Sequence, residues 1–189
     1  RWAPERTGAK WLLKIDDDAY VRVEKFIAHV SGWKDGGNVD KILHVGGIQR
    51  GYPNQSGKWM NLVYPKGKKY PPFPRGAGHV ANRPLASYIV EHSDSLVEQQ
   101  GEDTSMGVWF KNAPGKKEMV VDTIIDATSN GNCYTTHKHV IGHNIADIKM
   151  RACFAKTEGT HAADETPLEI STSLKEPHHA VAVKRTTPT

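Results

Sequence analysis

Residues 11–20, WLLKIDDDAY, constrain the fold of this chain more than any other segment. Four of the five residues before the aspartates are apolar, a pattern typical of a buried strand that ends at a surface cleft. The carboxylates of Asp16, Asp17 and Asp18 repel one another unless a partner such as a divalent cation neutralises them. Because successive strand side chains point to opposite faces, we expect Asp16 and Asp18 to share a site and Asp17 to point elsewhere. An exposed acidic loop is the alternative interpretation.

The composition indicates a folded domain. The chain has 189 residues, of which 38% are apolar, and no run approaches the roughly 20 apolar residues of a membrane-spanning helix. A net charge of +4 suits an anionic ligand such as a nucleotide and is too small to indicate a nucleic-acid partner. Cys133 and Cys153 permit one disulfide. Because the chain begins with Arg1, we expect that an upstream segment is missing.

The sequence around the aspartates alternates between helix and strand patterns, which predicts an α/β fold. Val23, Phe26, Ile27 and Val30 form one face of a helix that Gly32 ends. Other elements are predicted from short signals: a strand at 42–45 broken by Gly46 and Gly47, a helix capped by Asn82, one or two strands at 120–125, and a final helix with Ile145, Ile148 and Ala152 on one face.

Residues 66–78 combine basic residues, aromatics, prolines and glycines. Prolines fix an extended backbone and glycines allow close approach, so a rigid loop lining a site is predicted, with an ordinary surface loop as the alternative. Upstream, Asn54-Gln55-Ser56 is a glycosylation sequon, which matters only if the chain enters the secretory pathway.

A second acidic motif lies in residues 101–110, GEDTSMGVWF. Acids at a helix start are favoured by the helix dipole, so Glu102 and Asp103 have a purely structural explanation. The functional alternative requires Asp103 to be ionised in a cleft, where a carboxylate acts as a general base.

Three histidines follow Cys133 closely, namely His137, His139 and His143. On a strand, His137 and His139 would share a face, and imidazole is a good ligand for transition metals. The spacing fits no closed zinc site, so we expect one histidine to complete the carboxylate site. We predict a domain at residues 1–155 and a low-complexity, disordered tail at 156–189.

Three blocks of the sequence, taken in order, resemble the inverting β-1,3-galactosyltransferases of glycosyltransferase family 31. They are LKIDDD with VRV after it (13–23), YPPF with GAGHV (70–80), and EDTSMGVW (102–109); NCYTTHK (132–138) is a weaker fourth. The resemblance implies a GT-A-like fold, a Rossmann-like mixed sheet flanked by helices that is here incomplete at its N-terminus. It also implies the lumenal face of the Golgi membrane, with a membrane contact only through the missing anchor.

The resemblance implies a role for each residue of these blocks. Asp18, His137 and Asp16 would hold Mn²⁺, and Asp16, Asp17 and Lys14 would contact the donor. Asp103 would be the catalytic base, with Glu102 holding the acceptor or its loop. Five residues would line the acceptor side: Tyr70, Phe73, Gly76, Gly78 and Trp109, of which the three aromatics are equally well explained as core residues.

The implied reaction is Mn²⁺-dependent, inverting transfer of a hexose in β-1,3 linkage to a hydroxyl of a glycan or glycoprotein. The donor is UDP-galactose, with UDP-N-acetylglucosamine as the other common choice of the family. Two alternatives stay open. One is an inactive module that binds glycan or nucleotide, and the other is a metal-dependent hydrolase built on Asp16, Asp18 and the histidines.

Overall fold

The computed structural model describes residues 7–33, 41–127, 133 and 139–157, which form a mixed α/β structure. Its elements within those ranges are six strands and four helices. The strands are β1 (Trp11–Ile15), β2 (Tyr20–Val21), β3 (Lys41–Gln49), β4 (Phe73–Asn82), β5 (Lys116–Val121) and β6 (Ile141–Gly142). The helices are α1 (Val23–Ser31), α2 (Arg83–Glu91), α3 (Glu102–Asn112) and α4 (Asp147–Thr157).

The main sheet has the strand order β1-β4-β3-β5. β4 is antiparallel to both β1 and β3, and β3 is parallel to β5. The carboxyl end of β1 therefore meets the first half of β4, with Ile15 opposite Gly78 and the Asp16 amide donating to the carbonyl of Ala77. This edge of the sheet is where the acidic residues lie.

Hydrophobic clusters cover both faces of this sheet. Val45 and Val80 belong to one cluster, whereas Ile42 and Ala81 belong to a second that also includes side chains from α2 and α3. Helix α3 approaches the start of β4 closely, because a Cβ added at Gly107 would lie 2.5 Å from the Cβ of Phe73. This contact fixes α3 against the sheet.

Several predicted elements are confirmed. Helix α1 begins at Val23 and ends before Gly32, and the apolar run of residues 11–15 is a strand that delivers Asp16 to its end. Asn82 caps α2 by accepting a hydrogen bond from the Leu85 amide (3.3 Å). Its side chain also bonds both the Leu43 amide and the Lys41 carbonyl, so the same residue joins α2 to β3.

Two predictions about the sheet are wrong in detail. Strand β3 continues through Gly46 and Gly47 to Gln49 and only shifts register there, because the flanking strands still pair with it. Residues 73–78 are part of β4 and not of a loop. Pro74 is tolerated because it pairs with β3 before the pairing with β1 begins.

The last helix also differs from its predicted face. Ile145 is buried ahead of α4, Ile148 is 86% exposed, and Cys153 is the buried residue that joins α4 to Cys133 through a disulfide. Residues 158–189, which hold most of the predicted tail, lie outside the described residues. In the described part of the chain, no helix has the length and apolar character needed to cross a membrane.

Candidate functional site

The turn after β1 brings two carboxylates and an imidazole together. One ligand atom from each of Asp16, Asp18 and His143 lies within 4.8 Å of the other two. The His143 Nε2 atom is 3.2 Å from Asp18 Oδ1 and 3.8 Å from Asp16 Oδ2. Asp17 is exposed in the turn that follows β1. Two hard oxygen ligands with one imidazole suit a divalent cation such as Mn²⁺.

Backbone pairing places His143 beside the turn. Strand β6 pairs with β2 so that Tyr20 lies opposite Gly142, and the Ile145 amide donates to the Asp18 carbonyl (2.9 Å). His143 is therefore held between two points of contact with the segment that carries Asp18.

The other histidines of this region have different positions. His137, the predicted metal ligand, lies outside the described residues. The ring nitrogen Nδ1 of His139 is 3.0 Å from the carbonyl of Asp126 and takes no part in the cluster. A hydrolase site with all three histidines on one metal is disfavoured by the position of His139.

Lys14 connects the two acidic motifs. Its Nζ atom is 2.6 Å from Asp16 Oδ1 and 2.6 Å from Glu102 Oε2, and it donates to the Gly76 carbonyl at 2.7 Å. Burial alone lowers the pKa of this ammonium, but the hydrogen bonds and charges of Asp16 and Glu102 outweigh it and raise the pKa above its ordinary value. The predicted donor-binding lysine therefore also fixes the carboxylate of α3 against the turn.

Glu102 is supported from the opposite side by two histidines that the sequence analysis did not assign. His79 Nε2 is 2.9 Å from Glu102 Oε1, and His79 Nδ1 is 2.9 Å from His44 Nε2. Burial acts to raise the pKa of Glu102, yet His79 and Lys14 together lower it below its ordinary value. His44 is fully buried, and burial followed by the charge of His79 lowers its pKa well below 6.5. His79 lies opposite Lys14 in the pairing of β1 with β4, a contact between distant segments that the local sequence pattern does not contain.

Asp103 has the opposite electrostatic environment to its neighbour. Burial, and after it the charge of Glu102, raises the pKa of Asp103 above its ordinary value, although the Thr104 amide donates to its carboxylate at 2.7 Å. A Cβ added at Gly76 would lie 3.7 Å from Asp103 Oδ2, so this carboxylate lies against the start of β4. A desolvated carboxylate at the edge of a sheet is suited to accept a proton.

The predicted acceptor-side residues are three aromatics and two glycines, and they lie in different surroundings. Tyr70 and Phe73 are each 8% exposed and contact one another, which favours their interpretation as core aromatics. Trp109 donates from Nε1 to the Val97 carbonyl at 2.9 Å. Gly78 packs on β6, since an added Cβ would lie 2.5 Å from Ile141 Cδ1. Gly76 is the member of the set next to Asp103.

A comparison with models of protein families shows the family to which this chain belongs. A family model described as galactosyltransferase matches residues 1–118 of the chain, which include Lys14, both acidic motifs and β4. The chain belongs to the galactosyltransferase family. The resemblance to glycosyltransferase family 31 is thereby confirmed, and His143 lies beyond the matched galactosyltransferase segment.

The curated relatives of this chain are named as glycosyltransferases. Human UDP-GalNAc:beta-1,3-N-acetylgalactosaminyltransferase 2 is 36% identical over 112 residues, covering 58% of this chain and 21% of the relative. Arabidopsis thaliana hydroxyproline O-galactosyltransferase GALT2 is 33% identical over 112 residues (57% and 16%), and mouse beta-1,3-galactosyltransferase 6 is 25% identical over 118 residues (62% and 36%). The chain matches between a sixth and about a third of the length of these relatives.

Proposed function

We propose that this chain is part of the catalytic domain of an inverting glycosyltransferase that moves a hexose in β-1,3 linkage from a UDP-sugar to a hydroxyl of a glycan or glycoprotein. One observation carries the proposal: Lys14 joins the aspartate turn to the acidic start of α3 by two contacts of 2.6 Å. One site therefore contains both a group of candidate metal ligands and a half-buried candidate base. We propose UDP-galactose as donor, and the name of the human relative makes UDP-N-acetylgalactosamine the second donor to test.

The ligand set of the turn fits Mn²⁺. Asp16, Asp18 and His143 would hold the ion, whereas His137, which the resemblance implied as a ligand, lies outside the described residues. When bound, Mn²⁺ supplies positive charge that neutralises a diphosphate leaving group. Asp17, which is exposed beside these ligands, remains our candidate for a donor contact, while Lys14 orients Asp16.

Asp103 is our proposed general base. Inversion requires a group on the face opposite the leaving group that takes the proton of the acceptor hydroxyl as the new bond forms, and one carboxylate is sufficient. The raised pKa of Asp103, which burial causes, strengthens its carboxylate as a proton acceptor. Glu102 remains charged between Lys14 and His79, so we assign it to positioning the start of α3 and the acceptor.

The remaining features of the proposal follow from the family. We propose a GT-A-like fold, a catalytic domain at residues 1–155 with a tail at 156–189, and a lumenal Golgi location. The Cys133–Cys153 disulfide supports an oxidising compartment of this kind.

The test is UDP release by the full-length enzyme from each UDP-sugar, with Mn²⁺ and with a chelator, for wild type, Asp18→Ala and His139→Ala. We expect Mn²⁺-dependent release that is lost in Asp18→Ala together with UDP binding, and kept in His139→Ala. A folded wild type that binds no UDP in the presence of Mn²⁺ would refute the transferase proposal. Binding without turnover would instead support an inactive binding module.

A further inference from the structure

One surface of the protein consists of residues that the catalytic proposal does not use. Between residues 41 and 90 the chain has eight Lys or Arg residues and no Asp or Glu: Lys41, Arg50, Lys58, Lys66, Lys68, Lys69, Arg75 and Arg83. Five of them lie in residues 50–69, which we call the basic loop, and all five are exposed. Within the described residues, none of these five forms an ion pair with a carboxylate.

The basic loop also exposes large apolar side chains. Tyr52 is 58% exposed, Trp59 55%, Leu62 76% and Val63 61%. Four large apolar side chains exposed within one loop favour its interpretation as a binding surface.

Two lysines of the basic loop lie over its two exposed aromatic rings. Lys58 Nζ is 4.7 Å from the ring centroid of Trp59, and Lys69 Nζ is 5.2 Å from that of Tyr52. Each pair presents an apolar ring and an ammonium group at one position. A sugar that carries a carboxylate has the complementary chemistry, since its ring CH groups contact an aromatic side chain while its anion meets the ammonium.

The basic loop is built around a buried side chain. Asn61 is 3% exposed, its Nδ2 atom donates to Tyr70 OH (2.5 Å) and to Gln99 Oε1 (3.1 Å), and its Oδ1 atom accepts from the Val63 and Tyr64 amides. Asn61 thus holds the loop in shape and attaches it to the segment just before α3.

The same contacts place the basic loop beside the proposed base. Gln100, two residues before the Glu102 start of α3, donates to the Lys58 carbonyl (3.4 Å), and the Gln99 amide donates to Ser105 Oγ (2.8 Å). The basic loop therefore lies beside the segment that leads into the start of α3, where Asp103 is located.

We infer that the basic loop binds the acceptor, and that this acceptor is an anionic glycan whose sugars carry carboxylate or sulfate groups near the hydroxyl that receives the hexose. The role as acceptor surface rests on the proposed transferase function, whereas the binding itself does not require it. An acidic peptide would satisfy the lysines but not the ring–ammonium pairs.

The test measures binding of a hyaluronan hexasaccharide to the full-length enzyme without UDP or Mn²⁺, in an Asn54→Gln background so that no glycan on the sequon covers the loop. Its probes for comparison are the carboxyl-reduced hexasaccharide, which is neutral, and a hexaglutamate peptide. The test variant is Lys58→Gln/Lys69→Gln. The matched control is Lys111→Gln/Lys116→Gln, two exposed lysines at the end of α3 and the start of β5.

We expect the Lys58→Gln/Lys69→Gln variant to bind hyaluronan about tenfold more weakly, and the control to change by less than about twofold. Trp59→Ala should weaken binding of the charged and the neutral hexasaccharide alike, and salt should weaken only the charged one. Equal binding by wild type and the double variant, or equal binding of hyaluronan and either comparison probe, would overturn the inference. A folded wild type that binds hyaluronan but releases no UDP from a UDP-sugar would refute the transferase proposal and leave the binding inference standing.

Discussion

The turn at Asp16–Asp18 and the start of α3 at Glu102–Asp103 are both runs of consecutive acids, yet their carboxylates have different partners. The carboxylates of the turn stay substantially exposed, with 37% of the Asp16 side chain and 45% of the Asp18 side chain accessible, and they share an imidazole. The two acids of α3 have different surroundings, which shift their pKa values in opposite directions. Lys14 and His79 lower the pKa of Glu102, and burial raises that of Asp103.

This difference shows that neighbours and burial, and not the acidic residues alone, decide what each run can do. Partly exposed carboxylates around an imidazole can accept a cation directly from solvent. A pair of adjacent acids whose pKa values are pushed apart provides one permanent charge and one proton acceptor.

The sharpest test of the comparison separates the two acids of α3. Asp103→Asn should lower turnover by about 10²- to 10⁴-fold, because general-base assistance is lost, while UDP binding in the presence of Mn²⁺ is unchanged. Glu102→Gln keeps the base and should lower turnover less. Single-turnover kinetics with titration of UDP measures both, and equal losses in the two variants would contradict the division of roles.

Lys14→Met removes the link between the two regions. Hydrogen bonds to charged groups contribute about 1.5–3 kcal/mol each, so we expect a loss of roughly 10- to 100-fold in kcat/KM. Lys10→Met, in the exposed lysine just before β1, is the matched comparison and should retain wild-type kinetics. If both variants behave alike, the contacts of Lys14 with Asp16 and Glu102 do not serve catalysis.

His79→Phe removes the partner of Glu102 that lies inside the protein. The pKa values of Glu102 and Asp103 should both rise, since His79 lowers each of them, and the acidic limb of the kcat/KM profile should move to higher pH. A pH–rate profile from pH 4 to 8 is the measurement. Rescue by His79→Gln, which can still donate to Glu102, would indicate that the hydrogen bond matters more than the charge.

The smallest effect is on folding stability. Because the pKa of His44 in the folded protein lies below 6.5, the unfolded chain alone takes up its proton as the pH falls below 6.5. The free energy of unfolding should therefore decrease toward acid, by up to about 1.4 kcal/mol per pH unit from this residue. Urea unfolding from pH 7.5 to 5 should show a shallower slope for His44→Leu, whereas His92→Gln, in an exposed histidine, should keep the wild-type slope.

The local signals of the sequence predicted the acid-bearing edge well. An apolar run followed by aspartates placed β1 and its turn, and the acids of residues 101–103 placed the start of α3. Proline and glycine content was misleading for residues 73–78, because the pairing of Phe73 and Pro74 with β3 and of Gly78 with β1 outweighs local preference.

Contacts between distant segments were the part that local patterns do not contain. That Lys14 reaches both Asp16 and Glu102 follows from the pairing of β1 with β4 and the packing of α3, and neither is encoded within a short window. His143 is brought to Asp18 by the short β2–β6 pairing. The spacing of the histidines alone does not distinguish a site at His143 from a site at His137.

The Cys133–Cys153 disulfide has a consequence for His143. Its two ends are 20 residues apart in sequence, and His143 lies between them. In the unfolded chain the bond holds that segment as a closed loop, which removes conformational entropy worth about 3 kcal/mol for a loop of this size. Reduction would leave the histidine on an open segment with far more unfolded conformations, so the oxidation of two cysteines helps to determine whether Asp16 and Asp18 retain their imidazole partner.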